Sequence, residues 1–281
     1  MTDRTRSSDF ADWIGRSTTR EDHVPERLLR QFRATLDGTL APLDVPPGVE
    51  FCLAPDICAP DLLGRDGHPR TGLFLPDLPL PRRMWAGGRI ERIAPLAPDD
   101  AVTRTSTIED VTFKTGRSGQ LGFVAVRHLY SVAGEPRIDE RQDIVYREDP
   151  APDAPSPQYP QASPWPDAEG WEVTPNSTLL FRYSALTFNG HRIHYDAPYA
   201  TEVEGYSGLV VHGPLQAIWM QNLAATLFGA PPAGFDYRGT APLICGESVR
   251  VEAAVTPEGA DLRVRRLSDD VVTMQGRASR G

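Results

Sequence analysis

The chain has 281 residues, enough for two domains of about 100 to 150 residues each and for a core that needs no disulfide. Its formal net charge of −9 leaves no broad basic field that would gather nucleic-acid phosphates. The start of the sequence lacks the apolar segment of a secretory signal, and no apolar run reaches the ~18 residues that a membrane span requires. We therefore expect a cytoplasmic protein that binds neither nucleic acid nor membranes.

The three cysteines, Cys52, Cys58 and Cys245, are odd in number and scattered along the chain. Cys52 and Cys58 are too far apart for a zinc-binding pair and lack a second Cys or His pair at metal-ligand spacing. Ordinary thiols are the expected interpretation, and we predict no metal site.

The first half starts with a helical pattern and continues with β alternation. The segment 19–38, TREDHVPERLLRQFRATLDG, predicts a helix with Thr19 or Asp22 as its N-cap and Gly38 as its stop. Residues 44–56 predict a short strand, and the Pro-, Gly- and Asp-rich residues 59–82 predict a loop. A strand near residues 87–94 and alternating segments up to residue 147 predict antiparallel strands.

The segment 148–170 is rich in proline, which fixes φ and lacks a backbone N–H, so we place a linker there between residues 1–147 and 171–281. In the second half, residues 171–187 predict a strand. The segment from Pro214 to Gly229 predicts an apolar helix, and three or four strands follow it. The pattern indicates an α+β fold. A helix wrapped by a curved antiparallel sheet is the hotdog arrangement, but the pattern alone does not select it.

The candidate chemistry lies just before the apolar helix, in the segments NGHRIHYD and VVHGPL. His194 can exchange protons near neutral pH, although a lone histidine is more often structural. Asn189 could orient a water but cannot take its proton. Gly213 precedes Pro214, so it either makes the turn into the helix or offers a free backbone N–H to a developing oxyanion.

These residues carry a resemblance to a known family. Residues 179–215 resemble the MaoC-like and (R)-specific enoyl-CoA hydratases, with Ile193, His194 and Asp196 in register with the (Ile/Leu)-His-x-Asp end of their motif. The similarity is closer to one subgroup, the mitochondrial-type 3-hydroxyacyl-thioester dehydratases and the itaconyl-CoA and mesaconyl-CoA hydratases. It covers most of residues 20–281 and rests on ALTFNGHRIHYD, EGYSGLVVHGPL, LPRRMWAGGRI, DVTFKTGRSGQLGFVAVRHLY and RQDIVYRE.

The resemblance implies a double hotdog in which residues 1–147 bind substrate or coenzyme A and residues 171–281 carry the catalytic residues. It implies reversible addition of water to an enoyl-CoA, without a metal or redox cofactor, because coenzyme A is part of the substrate. A homodimer is possible. His194 aligns with the catalytic histidine and Gly213 with the donor to the thioester carbonyl. Asn189 stands where the general family has aspartate, which leaves the division of the acid and base roles open.

Several neighbouring residues have two interpretations each. Asp196 either orients His194 or caps the turn that follows. His191 and His212 either support the loop or form polar walls of a pocket, and Trp85 either packs against the cleft or contacts substrate.

The arginines around the matched motifs include Arg182, on the predicted strand, and Arg192. Most such arginines are solvated or paired within the protein. One or both of these two could instead bind the free carboxylate of a C5 dicarboxylic acyl chain, such as itaconyl or mesaconyl, since guanidinium binds carboxylate in a bidentate manner.

Three functions therefore compete. The leading hypothesis is a hydratase for a short dicarboxylyl-CoA. The second is a 3-hydroxyacyl-thioester dehydratase of fatty acid synthesis, which a wide apolar tunnel would favour. The third is a non-catalytic acyl-thioester-binding hotdog protein, against which the presence of His194 and Gly213 argues. A hotdog thioesterase is less consistent with the motifs.

Overall fold

The computed structural model describes residues 7–116, 119–149, 158–159 and 161–281. The elements of its first half are a 3₁₀ helix at Ser7–Trp13, strand β1 (Ser17–His23), helix α1 (Glu26–Thr35), 3₁₀ turns at Val49–Cys52 and Pro60–Leu62, and strands β2 (Arg82–Arg92), β3 (Ala101–Gly116), β4 (Gly119–Val132) and β5 (Glu135–Arg147).

The second half repeats the plan with longer helices. Its elements are β6 (Glu169–Val173), α2 (Ser177–Thr187), a 3₁₀ turn at Arg192–His194, a π-helical turn at Tyr199–Val203, α3 (Gly213–Phe228), and strands β7 (Gly234–Gly239), β8 (Val249–Thr256), β9 (Gly259–Arg266) and β10 (Val272–Ser279). The predicted linker, residues 148–170, follows β5 and includes the first two residues of β6, and part of it is outside the described residues. The domain division stays a prediction.

The strands of both halves form one ten-stranded antiparallel sheet in the order β1-β3-β4-β5-β2-β7-β10-β9-β8-β6. The halves meet edge to edge where β2 pairs with β7, from Gly87 opposite Arg238 to Glu91 opposite Gly234. This pairing satisfies the backbone groups of two strands that would otherwise be exposed edges. The architecture confirms the expected α+β class.

Helix α3 is enclosed by this sheet, and every residue from Pro214 to Ala225 is buried. It contacts β7, β8, β9 and β10 of its own half and also β2 of the other half. The sequence explains the burial, because apolar residues cover all faces of the helix rather than one stripe. Pro214 stands in its first turn, and Gly229 ends it at φ 74°. With 16 residues it is too short for a bilayer, and no other described helix is long and apolar enough to cross one.

The prediction of a strand over residues 171–187 is wrong for most of its length. The strand ends at Val173, and residues 177–187 form helix α2. The Asn176 side chain accepts a hydrogen bond from the backbone N–H of Leu179 (2.9 Å) and caps the helix. Leu180 and Tyr183, three residues apart, are its buried positions. The apolar run was therefore one face of a helix.

Two predictions in the first half also fail. Thr19 and Asp22 lie in strand β1, which pairs with β3 from Ser17 to His23, so neither caps a helix. The helix begins later, after Pro25, and ends at Thr35, before Gly38. The strand predicted in residues 44–56 is instead a 3₁₀ turn, Val49–Cys52. The pairing of β1 with β3 is a tertiary contact that local helical spacing cannot reveal.

The halves also meet through two loops, residues 64–70 of the first and 189–192 of the second. The backbone N–H of Arg192 donates to the carbonyl oxygen of Asp66 (2.8 Å). Gly67 has φ +86°, and a Cβ there would overlap the carbonyl oxygen of Gly190. Both the left-handed backbone and the close approach require glycine at position 67.

This contact predicts the effect of Gly67→Ala. The left-handed backbone costs about 1 kcal/mol for alanine, and the overlap with the Gly190 carbonyl should add roughly 1–3 kcal/mol of unfolding free energy. Urea unfolding followed by circular dichroism measures both. Gly72→Ala is the matched control, because Gly72 has φ +87° but its nearest neighbour would lie 3.9 Å from the new Cβ. Equal losses in the two variants would show that the loops do not interlock as described.

Candidate active site

His194 lies in a 3₁₀ turn between α2 and α3 and is 6% exposed. Its Nδ1 is 2.7 Å from the carbonyl oxygen of Val210. Because a carbonyl can only accept, Nδ1 carries the proton and Nε2 presents a lone pair. The ring is therefore held as a neutral imidazole with a free proton-accepting nitrogen.

Four imidazole rings stand in a row through this region. His212 stacks on His194 with ring centroids 3.5 Å apart. His191 lies edge-on to His194, with ring centroids 5.4 Å apart. His68, from loop 64–70 of the first half, lies 4.7 Å from His191. His212 is fully buried, and its Nε2 lies 2.9 Å from the Ser184 hydroxyl. His212 thus supports one face of the His194 ring.

Burial keeps all four rings neutral. It lowers the pKa of His68, His191 and His194 to about 3 each, assisted for His194 by the neighbouring His191 and opposed by its bond to Val210. Burial also moves the pKa of His212 well below its usual value. A row of rings this close cannot all be charged in a medium of low dielectric, so at neutral pH each ring can only accept a proton or donate its single N–H.

A cavity of roughly 350 Å³ connects His194 with the surface. It is lined by Ser177, Thr178 and Phe181 of α2, by Tyr195 and by Leu209. Phe181 and Tyr195 are mostly exposed, which leaves two aromatic side chains at the cavity mouth. A substrate can therefore approach His194 from the side of α2.

Gly213 opens helix α3 directly after His212, whose ring stacks on His194. The first backbone hydrogen bond of the helix runs from Gln216 N–H to the His212 carbonyl (3.3 Å), so the N–H of Gly213 precedes the intrahelical ladder. The nearest neighbours of a Cβ on Gly213 would be atoms of Met274 and Trp85, at 3.7 Å or more. These are ordinary van der Waals distances, so packing does not force glycine there, and among the described residues no hydrogen bond from the Gly213 N–H is found.

Trp85 packs beside the helix start rather than presenting a free polar edge. Its indole N–H lies 3.0 Å from both the Gly87 carbonyl and the Tyr237 hydroxyl, and its ring meets Phe51 edge-on. The structure thus places Trp85 at the junction of β2 and β7, next to Gly213.

Asn189 and Asp196 both shape the loop that carries His194. The Asn189 side-chain oxygen accepts from the His191 N–H (2.9 Å). Asp196 accepts from Arg192 (2.7 Å) and from the backbone N–H of Tyr199 (3.2 Å), which caps the following turn. The hydrogen bond from Arg192 lowers the pKa of Asp196. Of the two interpretations of Asp196, the geometry supports the cap.

The two arginines singled out in the sequence lie in different environments. Arg182 lies on the exposed face of α2, not on a strand as predicted, and its nearest partner is the Ala34 carbonyl at 3.5 Å. Arg192 binds Asp196 and the Arg65 carbonyl, and its guanidinium covers the ring of Tyr199. Their binding of substrate stays a prediction.

Sequence reasoning missed two residues that the structure brings to the site, His68 and Asp66, while Arg83 is one of the arginines around the matched motifs. Arg83 forms a largely buried ion pair with Asp66 (2.7 Å) beside His68. Burial acts to raise the pKa of Asp66, but Arg83 lowers it overall. The only local signal was GRDGHP, a polar motif in a segment interpreted as loop. The distance of this motif from His194 is set by the contact between the two halves of the molecule.

No described group of three or more His, Cys, Asp or Glu side chains is arranged as a metal site.

Comparison with known proteins identifies the family. The model of hydroxyacyl-thioester dehydratase type 2 matches residues 48–245. A mesaconyl-C(4)-CoA hydratase of Chloroflexus aurantiacus is 41% identical over 263 residues, covering 92% of this chain and 94% of the relative. The chain belongs to the hydroxyacyl-thioester dehydratase type 2 family. It is thus a hydratase/dehydratase, a carbon–oxygen lyase, as the motifs predicted.

Solved structures confirm the double hotdog. HtdX of Mycobacterium tuberculosis superposes with a TM-score of 0.69 at 18% identity, covering 95% of this chain and all of that one. Rv0216 of the same organism, described as having a double hotdog fold, gives a TM-score of 0.57 at 13% identity over 98% and 97% of the two chains. At these identities the likeness shows the fold alone.

The histidines with lowered pKa values predict how the stability of this family member depends on pH. Five have lowered pKa values: the four of the row and His128. A pKa below the unfolded value of about 6.5 means that the unfolded chain binds more protons as pH falls from 6.5 toward 3. Each histidine should therefore reduce the unfolding free energy by up to about 1.4 kcal/mol per pH unit in that range.

Urea unfolding at pH 7, 6 and 5 measures this slope above the range where most carboxylates titrate. Burial raises the pKa of Glu140 to about 8, so this residue makes the unfolding free energy rise as pH falls. It opposes the histidines with one proton only. His128→Gln, remote from the row, should make the slope shallower, whereas His23→Gln at an exposed position should leave it unchanged. A wild-type stability that does not fall between pH 7 and 5 would contradict the lowered pKa values of the row.

Proposed function

We propose that this enzyme reversibly adds water to the double bond of a short enoyl-CoA whose acyl chain is a C5 dicarboxylic acid, such as mesaconyl-CoA or itaconyl-CoA. The observation that carries the proposal is the 41% identity to the mesaconyl-C(4)-CoA hydratase along 92% of this chain. A neutral buried histidine beside a helix start, at the end of a surface cavity, supports it.

In this mechanism Nε2 of His194 is the general base. It takes a proton from a water, and the water oxygen bonds to the β-carbon as the electron pair of the double bond moves toward the thioester. The resulting imidazolium then donates its proton to the α-carbon, so that one water is added and the histidine is restored. A buried imidazolium is a strong acid, which favours this second transfer, while the negative enolate beside it offsets the cost of forming the cation.

The developing negative charge lies on the thioester oxygen, and in this proposal the N–H of Gly213 donates a hydrogen bond to it. A backbone donor at a helix start is fixed in advance and is assisted by the positive end of the helix dipole. Asn189 would hold the attacking water, since an amide can orient a water without removing its proton. Asp196 would act at a distance, by fixing the turn that carries His194.

A second candidate is dehydration of a 3-hydroxyacyl thioester of fatty acid synthesis, on coenzyme A or acyl carrier protein. The matched family model favours it by its description. The same residues would run the reaction in reverse, so the acyl chain, rather than the catalytic groups, distinguishes the two. A homodimer would be compatible with both functions and so does not distinguish them.

A spectrophotometric screen tests the proposed substrate class. The purified protein would be assayed for loss of enoyl-thioester absorbance with itaconyl-CoA, both mesaconyl-CoA isomers and crotonyl-CoA. We expect kcat/KM to be highest for one dicarboxylyl-CoA. A preference for crotonyl-CoA or longer monocarboxylic chains would instead support the fatty acid dehydratase.

His194→Ala should lower kcat for the preferred substrate by about 10²- to 10⁴-fold, because it removes the proton carrier. Circular dichroism would verify that the variant folds. His23→Ala, an exposed histidine on β1, is the control and should keep the wild-type rate. An unchanged rate in His194→Ala would support the binding-only hypothesis.

The pKa of His194 also predicts the pH profile. Because the pKa lies at about 3 in the free enzyme, the ring stays in its basic form far below pH 6.5. A plot of kcat/KM, which reports ionisations of the free enzyme, should show no acid limb near pH 6.5 and stay level from pH 8 to about 5. Half-activity at pH 6 to 7 with the fold intact would contradict it.

A further inference from the structure

The proposed dicarboxylyl substrate poses a charge problem that the mechanism leaves unsolved, and the inference here rests on that proposed function. In a mesaconyl chain esterified at C4, the free carboxylate is bonded to the carbon that water attacks. The carboxylate must therefore lie close to His194, which is itself buried. An ionised carboxylate that leaves water without a partner is strongly disfavoured.

Three guanidinium groups around the two loops already have anionic partners. Arg192 binds Asp196, Arg83 binds Asp66 and also the Pro69 carbonyl (2.7 Å), and the buried Arg82 binds Glu204. To bind substrate, any of them would have to break an ion pair and leave a protein carboxylate behind. None of these three is a ready-made site for the acyl carboxylate, and Arg182, which has no anionic partner among the described residues, lies on the exposed face of α2 beside the Ala34 carbonyl.

His68 and His191 are differently placed. Within the described residues no hydrogen bond involves a ring nitrogen of either one, and none of these nitrogens is sealed from solvent. By contrast, Nδ1 of His212 is sealed and has no partner. The two available rings lie 4.7 Å apart, and His191 is 5.4 Å from His194. Each neutral imidazole carries one N–H that can donate to a carboxylate oxygen.

We propose that His68 and His191 form a carboxylate-binding pair that holds the free carboxylate of the acyl chain beside His194. The pair takes one histidine from each half of the molecule, so the site for the dicarboxylic chain is complete only where loops 64–70 and 189–192 meet. Asp66, the nearest protein carboxylate, is neutralised by Arg83, so it does not repel the incoming anion.

This assignment also gives the loop contact a function. The Gly67–Gly190 approach and the Arg192–Asp66 backbone hydrogen bond fix the separation of the two rings. A monocarboxylic chain such as crotonyl has no group for the pair to bind. The pair therefore contributes selectivity between acyl chains, whereas His194 and Gly213 act on the thioester and double bond common to both.

The test compares His68→Phe, which keeps an aromatic ring but no donor, with His68→Gln, which keeps a donor. The readout is the ratio of kcat/KM for mesaconyl-C4-CoA to kcat/KM for crotonyl-CoA. We expect His68→Phe to lower this ratio about tenfold to hundredfold, mainly through KM for the dicarboxylic substrate, because a hydrogen bond to a charged group is lost. His68→Gln should recover part of the ratio, and His23→Phe should leave it at the wild-type value.

Calorimetric titration with succinyl-CoA and butyryl-CoA tests the pair without turnover, since these four-carbon chains end in a carboxylate and a methyl group. Wild type should bind succinyl-CoA more tightly, and His68→Phe should lose that preference. Equal losses for both chains, or a selective loss in Arg192→Met with none in His68→Phe, would overturn the inference. If wild type hydrates none of the enoyl-CoA substrates, the proposed function fails, while the titration still decides whether the pair binds a carboxylate.

Discussion

The burial of α3 against a sheet built by both halves is the constraint on which the other features depend. A helix that is apolar on every face cannot remain at a surface, so the strands of both halves must cover it. Two of its polar side chains have partners in the first half: Asn222 donates to the Pro47 carbonyl (2.9 Å), and Gln221 accepts from Arg92 (2.6 Å). The enclosed helix carries Gly213 to the junction of the halves, where the candidate site lies.

The enclosed position of the site also disfavours charge on its histidine rings. His194 and its three neighbouring rings lie in an environment that opposes charge, and their lowered pKa values express that cost. Such a site lowers stability in acid, but the same burial makes a transient imidazolium a strong acid and a fixed N–H an effective partner for an enolate. A hydratase needs both properties within one turnover. The stability that buried histidines cost at low pH is thus linked to the proposed chemistry.

Local sequence patterns predict some helices and strands correctly and others wrongly. The sequence predicts helix α3 because Pro214, a continuous apolar run and Gly229 all lie within one segment. For residues 177–187 the sequence predicts a strand, because a run of apolar residues does not by itself distinguish a buried strand from the buried face of a helix. The Asn176 side chain caps the helix and so distinguishes it from a strand. Asn176 follows a proline, however, and the sequence around it is also compatible with an extended chain. In β1, pairing with a distant strand outweighed a local helical signal.

By itself, the sequence determined the α+β class, the family, and the two segments that carry His194 and Gly213, because these depend on residues close together in the chain. Only the tertiary structure decided that His212 supports His194, that Asp196 caps a turn, and that His68 joins the site from the other half. Residues 68 and 194 are far apart in sequence, and their approach follows from backbone contacts at Gly67 and Gly190. No local pattern specifies such a contact, since it exists only after both loops have folded against the shared sheet.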